Sequence, residues 1–210
     1  MNILGLNVFH ADTAACLLID GEIKYATEEE RFTRIKHFAG FPINSINFCL
    51  KSANLSMENI DYITVNFDSS YNFKEKIRYS LLSNPISILK KMMLTYQKNS
   101  LQNLISVNFA EKFNGTIVHV PHHLSHIASS YLCSGFNKAI GLSFDGAGDF
   151  STIESYFCEK NQMDLINKTI YPDSIGIFYQ AFTQFLGFKN YGDEYKVMGL
   201  SSYGKPIYAE

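Results

Sequence analysis

The hydrophobic pattern at the start of the chain is typical of strands. Apolar runs at Ile3–Val8 and Ala14–Ile19 precede Asp20-Gly21, a dipeptide that favours tight hairpin turns, and a further run follows at Glu22–Thr27. The polar segment 10–13 separates the first two runs. We predict a β-meander with a polar turn between its first two strands.

The later apolar runs alternate between strand and helix patterns. We predict strands over 60–67, 116–120, 139–145, 152–159 and 165–171, and helices over 44–53, 122–133 and 175–186. Such alternation predicts an α/β domain whose strand ends bind a nucleotide or phosphate.

Residues 68–114 differ from the rest of the chain. They are rich in Lys, Ser, Asn, Leu and Met, and their helical periodicity is broken at Pro85. We predict a helical insertion that covers a lid or interface, with Lys90-Lys91 on a solvated face.

Composition narrows the function classes. The 210 residues are 46% hydrophobic and 18% charged, which is typical of a soluble globular protein, and a net charge of −2 argues against nucleic acid as a partner. The chain has no apolar run of the ~18 to 20 residues that a membrane helix needs and no signal-peptide pattern at its start. Its cysteines are widely separated and form no C-x-x-C pair, so we expect buried, reduced thiols and a cytoplasmic location.

Three histidines cluster at His122, His123 and His126. The first and third are four positions apart, so on a helix they share a face and can bind one metal ion through neutral ring nitrogens. The alternative is a set of polar residues at a helix start.

A glycine-rich acidic segment, Asp145-Gly146-Ala147-Gly148-Asp149, follows the next predicted strand. Its amides could bind an anion and Asp145 could supply a metal ligand, whereas the alternative is an ordinary hairpin. With the histidine helix upstream, it suggests a His/His/Asp metal and phosphate site.

Three further segments carry candidate chemistry. The turn His10-Ala11-Asp12-Thr13 has room for a phosphate and offers His10 as a general base or as a donor to a developing oxyanion, or it is a solvated turn. We expect the segment 28–37 to be irregular, and it is a solvated charge cluster or a phosphate-binding stretch that uses Arg31, Arg34 or Lys36. The segment 191–200 is a loop with a glycine-capped turn, or its Glu194 and Lys196 contact a nucleotide sugar or substrate.

Six ordered segments together resemble the NodU/CmcH-type O-carbamoyltransferases. They are NVFHADTAACLLIDGEI, ATEEERFTRIKHFAGFP, HHLSHIASSYLCSGF, LSFDGAGD, SIGIFYQAFTQFLGF and GDEYKVMGLSSYGKP. The resemblance implies an actin-like (ASKHA, sugar-kinase/Hsp70-like) lobe with a mixed β-sheet flanked by helices, similar to the tRNA threonylcarbamoyl-transfer protein TsaD.

The implied activity is transfer of a carbamoyl group from carbamoyl-adenylate, made from carbamoyl phosphate and ATP, to a hydroxyl of a sugar or secondary metabolite. The resemblance makes His122, His126 and Asp145 ligands of a divalent metal, with iron expected. It makes His10 the residue that activates the acceptor hydroxyl. Lys36 would contact the carbamoyl donor, and His123 would support the ligands.

Members of that family are more than twice as long as this chain. We therefore expect residues 1–210 to be the N-terminal TsaD-like lobe, without the second lobe and the YrdC-like domain, and a separate C-terminal portion becomes a possible partner. The alternatives are a non-catalytic nucleotide- or metal-binding interaction module and a TsaD-like tRNA-modification subunit.

Overall fold

The computed structural model describes residues 1–82, 101–109 and 112–207. The chain divides into two compact units, residues 1–125 and 126–210. In chain order the elements are β1 (Asn2–Asn7), β2 (Ala14–Ile19), β3 (Glu22–Glu28), α1 (Glu30–Thr33), α2 (Ile43–Ser52), a 3₁₀ turn (Met57–Asn59), β4 (Tyr62–Val65), α3 (Phe73–Leu82), α4 (Leu101–Asn108), β5 (Thr116–His119), α5 (His122–Tyr131), β6 (Lys138–Gly148), β7 (Ser151–Glu159), β8 (Gln162–Ile170), α6 (Ile175–Phe185) and α7 (Glu194–Ser201).

The first unit is built on a five-stranded mixed sheet with the order β3-β2-β1-β4-β5. The first three strands pair antiparallel, and β1–β4 and β4–β5 pair parallel. Asp20 and Gly21 both have positive φ (51° and 84°), which is the hairpin geometry that their dipeptide favours. The predicted meander is therefore confirmed, and so is the α/β class with a mixed sheet flanked by helices.

The core of the first unit explains why its strands are apolar. Alternate side chains of β1, β2 and β4 are buried together with residues of α2 and α4, and the main members are Leu4, Leu6, Leu17, Ile46, Cys49, Leu50, Ile63, Val65 and Ile105. Parallel β1 and β4 lie side by side, so their carboxyl ends, Asn7 and Asn66, reach the same edge of the sheet.

The second unit contains the antiparallel sheet β6-β7-β8. On β7, every second residue from Thr152 to Cys158 is buried. Ile127 of α5 lies against β6 at Gly141, where a Cβ atom would come within 2.9 Å of the Ile127 side chain. A glycine at this position thus allows helix and strand to pack closely.

Four expectations need correction. Strand β6 continues to Gly148 with a register shift after Phe144, and the turn is made by Asp149 and Phe150, whose φ values are 48° and 74°. The glycines therefore lie on the strand. Segment 191–200 contains helix α7 where a loop was expected, segment 28–37 contains the short helix α1, and Cys133 is exposed.

Helices α3 and α4 agree with a helical character for parts of the 68–114 segment. Pro85 and Lys90-Lys91-Met92-Met93 lie outside the described residues. Among the described residues, no helix combines the length and apolarity needed to cross a membrane.

Candidate active site

The turn between β1 and β2 holds His10 at the sheet edge. Phe9 and Asp12, on either side of His10, have φ values of 62° and 59°, a left-handed conformation that non-glycine residues seldom adopt. Two hydrogen bonds of Thr13 stabilise the turn, because its hydroxyl donates to the His10 carbonyl (3.0 Å) and accepts from the Gly40 amide (3.0 Å).

The His10 ring faces the first residue of helix α5. The ring centroids of His10 and His122 are 5.5 Å apart, and the ring of Phe67 lies 6.2 Å from that of His10. His10 and His122 therefore lie together in the first unit, although 112 positions separate them (122 − 10).

His122 is oriented by a backbone group at the end of β4. Its Nδ1 lies 3.1 Å from the carbonyl oxygen of Asn66. A carbonyl only accepts, so Nδ1 must carry the proton in this contact, and Nε2 is then the unprotonated nitrogen, the form in which an imidazole binds a metal ion.

Helix α5 carries the other histidines of the cluster. His122 and His126 are four positions apart in this helix, the spacing that puts two side chains on one face. His123 is 1% exposed, and its ring meets that of His122 edge-on at 5.9 Å.

In the second unit, His126 pairs with Asp145. Nε2 of His126 lies 3.7 Å from Oδ2 of Asp145. The other carboxylate oxygen, Oδ1, accepts a hydrogen bond from the Gly146 amide at 2.6 Å. A nitrogen donor and an oxygen donor at this separation suit a divalent transition metal.

The start of helix α6 fixes the backbone at Asp145. The Ser174 hydroxyl caps the helix by accepting from the Ile177 amide (3.1 Å) and contacts the carbonyl oxygens of Asp145 (3.0 Å) and Gly146 (2.8 Å). A Cβ atom at Gly176 would lie 2.7 Å from the Asp145 carbonyl group, so only glycine allows this approach.

The predicted phosphate- and donor-binding residues lie on strand β6 and after helix α1. The Gly146 amide already donates to Asp145, and Gly148 is paired with Ser151 in the strand ladder. Exposed Lys36 follows α1, next to His37, whose Nδ1 lies 3.0 Å from Oδ1 of Asp12.

Glu194 and Lys196 lie on helix α7. Lys196 Nζ pairs with Asp193 Oδ1 at 2.6 Å, and this hydrogen bond from Lys196 holds the pKa of the Asp193 carboxyl below its usual value. Lys196 thus already forms an ion pair with the carboxylate of Asp193, three positions before it.

Asn66 and Ser174 contact the predicted site residues His122 and Asp145 and were not singled out in the sequence. Ser174 precedes the helix 175–186 and carried a recognisable N-cap signal, but its contact with Asp145 spans 29 positions. Asn66 acts through its backbone carbonyl, for which a sequence contains no signal.

Comparison with known proteins identifies the family. Residues 2–209 match the family model described as "Carbamoyltransferase N-terminus". The uncharacterized protein sll1178 of Synechocystis is 36% identical over 219 aligned positions, which cover 100% of this chain and 36% of that protein. The nodulation protein NolNO of Sinorhizobium fredii is 34% identical over 205 positions, covering 95% of this chain and 29% of that protein.

A solved structure also shows partial likeness. YeaZ from Pseudomonas aeruginosa aligns with a TM-score of 0.45 at 13% identity, over 81% of this chain and 67% of that one. The chain spans about a third of the length of the curated relatives it matches. From the family match over residues 2–209, the chain belongs to the carbamoyltransferase N-terminus family.

Proposed function

We propose that this chain provides the acceptor-activating and metal-binding residues of an O-carbamoyltransferase. The proposal rests on one observation above all, the His10 ring 5.5 Å from His122 at the end of parallel strands. Family membership supports carbamoyl transfer as the reaction class. The acceptor would be a hydroxyl of a sugar or secondary metabolite, and the donor carbamoyl-adenylate, formed from carbamoyl phosphate and ATP.

The donor set fits a divalent metal. His122 presents Nε2 because its Nδ1 faces the Asn66 carbonyl, and His126 and Asp145 offer a nitrogen and an oxygen 3.7 Å apart. Two imidazoles and one carboxylate suit iron or a similar transition ion, and iron is the expectation from the NodU/CmcH resemblance. When bound, the ion would act as a Lewis acid towards the donor.

His10 would act as the general base. A neutral imidazole can take the proton of an acceptor hydroxyl as the oxygen attacks the carbamoyl carbonyl carbon, and adenylate would leave with the electron pair of the broken C–O bond. The turn conformation sets where the ring points. Lys36 would contact the carbamoyl donor as a point charge. Asp12, whose Oδ1 lies 3.0 Å from Nδ1 of His37, would contact substrate or nucleotide.

The proposal also includes the other residues that the sequence predicts to bind the donor or the nucleotide. The strand end at Gly146 and Gly148 would lie near the donor phosphate, and Glu194 and Lys196 would contact the nucleotide. ATP and carbamoyl phosphate are thus the expected small-molecule partners, and residues corresponding to the rest of the full-length relatives would complete the reaction.

The test compares His10→Asn with a matched control, His119→Asn, which alters an exposed histidine at the end of β5. Each chain is assayed alone and fused to the remainder of the Synechocystis relative, with ATP, carbamoyl phosphate and a panel of sugars. We expect the fused wild-type and His119→Asn chains to form carbamoylated product, and His10→Asn to be slower by at least about a hundredfold.

Mass spectrometry of the sugars gives the product yield. Equal rates for His10→Asn and the wild type would contradict the role of His10. Failure of the wild-type fusion to modify any hydroxylated acceptor would contradict carbamoyl transfer itself.

A further inference from the structure

The Asn7 side chain forms hydrogen bonds with the turn that carries His10. Asn7 is the last residue of β1, and its side-chain Nδ2 donates to the carbonyl oxygens of Ala11 (3.1 Å) and Asp12 (2.9 Å). One amide group thus bridges the turn directly after His10. Its Oδ1 accepts from Nδ2 of Asn66 at 3.1 Å.

The turn needs such support because its backbone is strained. Left-handed φ values at Phe9 and Asp12 are unfavourable for residues other than glycine and persist only where surrounding contacts impose them. The Phe9 amide donates to the Gly40 carbonyl at 2.9 Å, and Thr13 anchors the far end of the turn. Between those two anchors, the Asn7 side chain holds the carbonyls of Ala11 and Asp12.

Asn66 links the same network to the metal-ligand side. Its side chain fixes the orientation of the Asn7 amide, because Nδ2 can only donate and therefore selects Oδ1 of Asn7. Its own backbone carbonyl faces Nδ1 of His122. The two asparagines at neighbouring strand ends therefore connect the turn of His10 with the helix start at His122.

We propose that Asn7 is a positioning residue that sets the His10 ring for proton transfer, with Asn66 orienting its amide. This inference rests on the proposed function of His10 as the base. Asn7 does not touch the reacting atoms; it acts by holding the turn. An aspartate of the same shape would place an oxygen against two carbonyl oxygens, so the turn would open at Ala11 and Asp12.

The experiment compares Asn7→Asp with Asn2→Asp in the fused enzyme. Asn2 begins the same strand and donates from its side chain to the Asn59 carbonyl, so the control has the same charge change and a similar loss of a hydrogen bond. For Asn7→Asp we expect kcat to fall roughly ten- to a hundredfold, since misplacement of a catalytic group by about 1 Å has that cost. The KM for carbamoyl phosphate and the Co²⁺ content should match those of Asn2→Asp.

A second readout does not depend on turnover. Crystal structures of the two variants should show a displaced His10 ring in Asn7→Asp and the wild-type turn in Asn2→Asp. An unchanged turn, or a kcat equal to that of the control, would overturn the inference. If the wild-type fusion transfers no carbamoyl group, the proposed function fails, and the crystal structures still decide whether Asn7 holds the turn.

Asn66→Ala provides a second test of the inference if the Asn7→Asp variant does not fold. It removes only the group that orients the Asn7 amide and keeps the backbone carbonyl, so we expect a smaller fall in kcat in the same direction. A wild-type kcat together with a wild-type position of the His10 ring in Asn66→Ala would refute the orienting role of Asn66.

Discussion

Among single residues, the three histidines of helix α5 have different environments. His122 is bonded through Nδ1 to Asn66, His126 faces Asp145, and His123 is buried at 1% exposure. Their different environments follow from helix geometry, since positions four apart share a face and the adjacent position points elsewhere.

Replacing either proposed ligand should abolish tight metal binding. We expect His122→Ala and His126→Ala to weaken Co²⁺ binding by at least about a hundredfold, because each change removes one donor of a small ligand set. His123→Gln, the matched control, should lose stability while its Co²⁺ dissociation constant stays close to that of the wild type. Equilibrium dialysis measures these constants, and equal weakening in all three variants would contradict the ligand assignment.

Cysteine reactivity should separate buried from exposed thiols. Burial raises the pKa of the Cys49 thiol to about 11, and its Sγ lies 3.8 Å from the carbonyl oxygens of Ala15 and Tyr25. At pH 8 only about one Cys49 in a thousand would be a thiolate, which is the reactive form. Cys133 is exposed.

We expect iodoacetamide at pH 8 to modify Cys133 and to spare Cys49 in the native protein. Reactivity of Cys49 should increase above pH 10, as pH approaches its raised pKa, and both thiols should react in urea. Peptide mapping by mass spectrometry follows each site, and early modification of Cys49 in native protein would show that its burial is wrong.

Among secondary-structure elements, helix α2 is capped by a residue that is distant in the sequence. Its N-cap, Pro42, provides no side-chain hydrogen bond. The carboxylate of Glu29, at the end of β3, instead accepts from the amides of Asn44 (3.1 Å) and Ser45 (2.8 Å) and from both side chains. This buried carboxylate also lies at the positive end of the helix dipole.

Glu29→Gln should therefore destabilise the protein. Hydrogen bonds to a charged group contribute about 1.5 to 3 kcal/mol, and the substitution places an NH₂ group where one oxygen accepted. We expect the free energy of unfolding in urea to fall by about that amount. Glu58→Gln changes an exposed carboxylate in the 3₁₀ turn and should stay within about 0.5 kcal/mol of the wild type; a similar loss in both variants would contradict the capping role.

The elements themselves were largely predictable from the chain. Strand β2 lies at the predicted residues, and helices α2 and α6 agree with prediction to within one residue at each end. The errors occur where tertiary contacts override local signals: at β6, the Ser174 bonds and the β7 ladder extend the strand through the glycines, so the turn lies at Asp149 and Phe150.

For the molecule as a whole, strand order and family membership place the candidate chemistry. Parallel pairing of β1, β4 and β5 brings the ends of these strands to one edge, and there Asn7, Asn66 and His122 form their network. The family match covers residues 2–209, so nearly the whole chain, and not one motif, carries the assignment to the carbamoyltransferase N-terminus family.

The sequence by itself determined most of the element types, the α/β class, the family and the candidate residues His10, His122, His126 and Asp145. It did so because periodicity, turn dipeptides and helix spacing act over a few neighbouring positions. Only the tertiary structure decided that Asn66 orients His122, that Asn7 bridges the His10 turn and that Ser174 holds Asp145. The contacts of Asn66 and Ser174 join groups 56 and 29 positions apart, so their geometry depends on how distant segments pack and not on any local pattern. The contacts of Asn7, 4 and 5 positions apart, depend on the backbone conformation of the His10 turn.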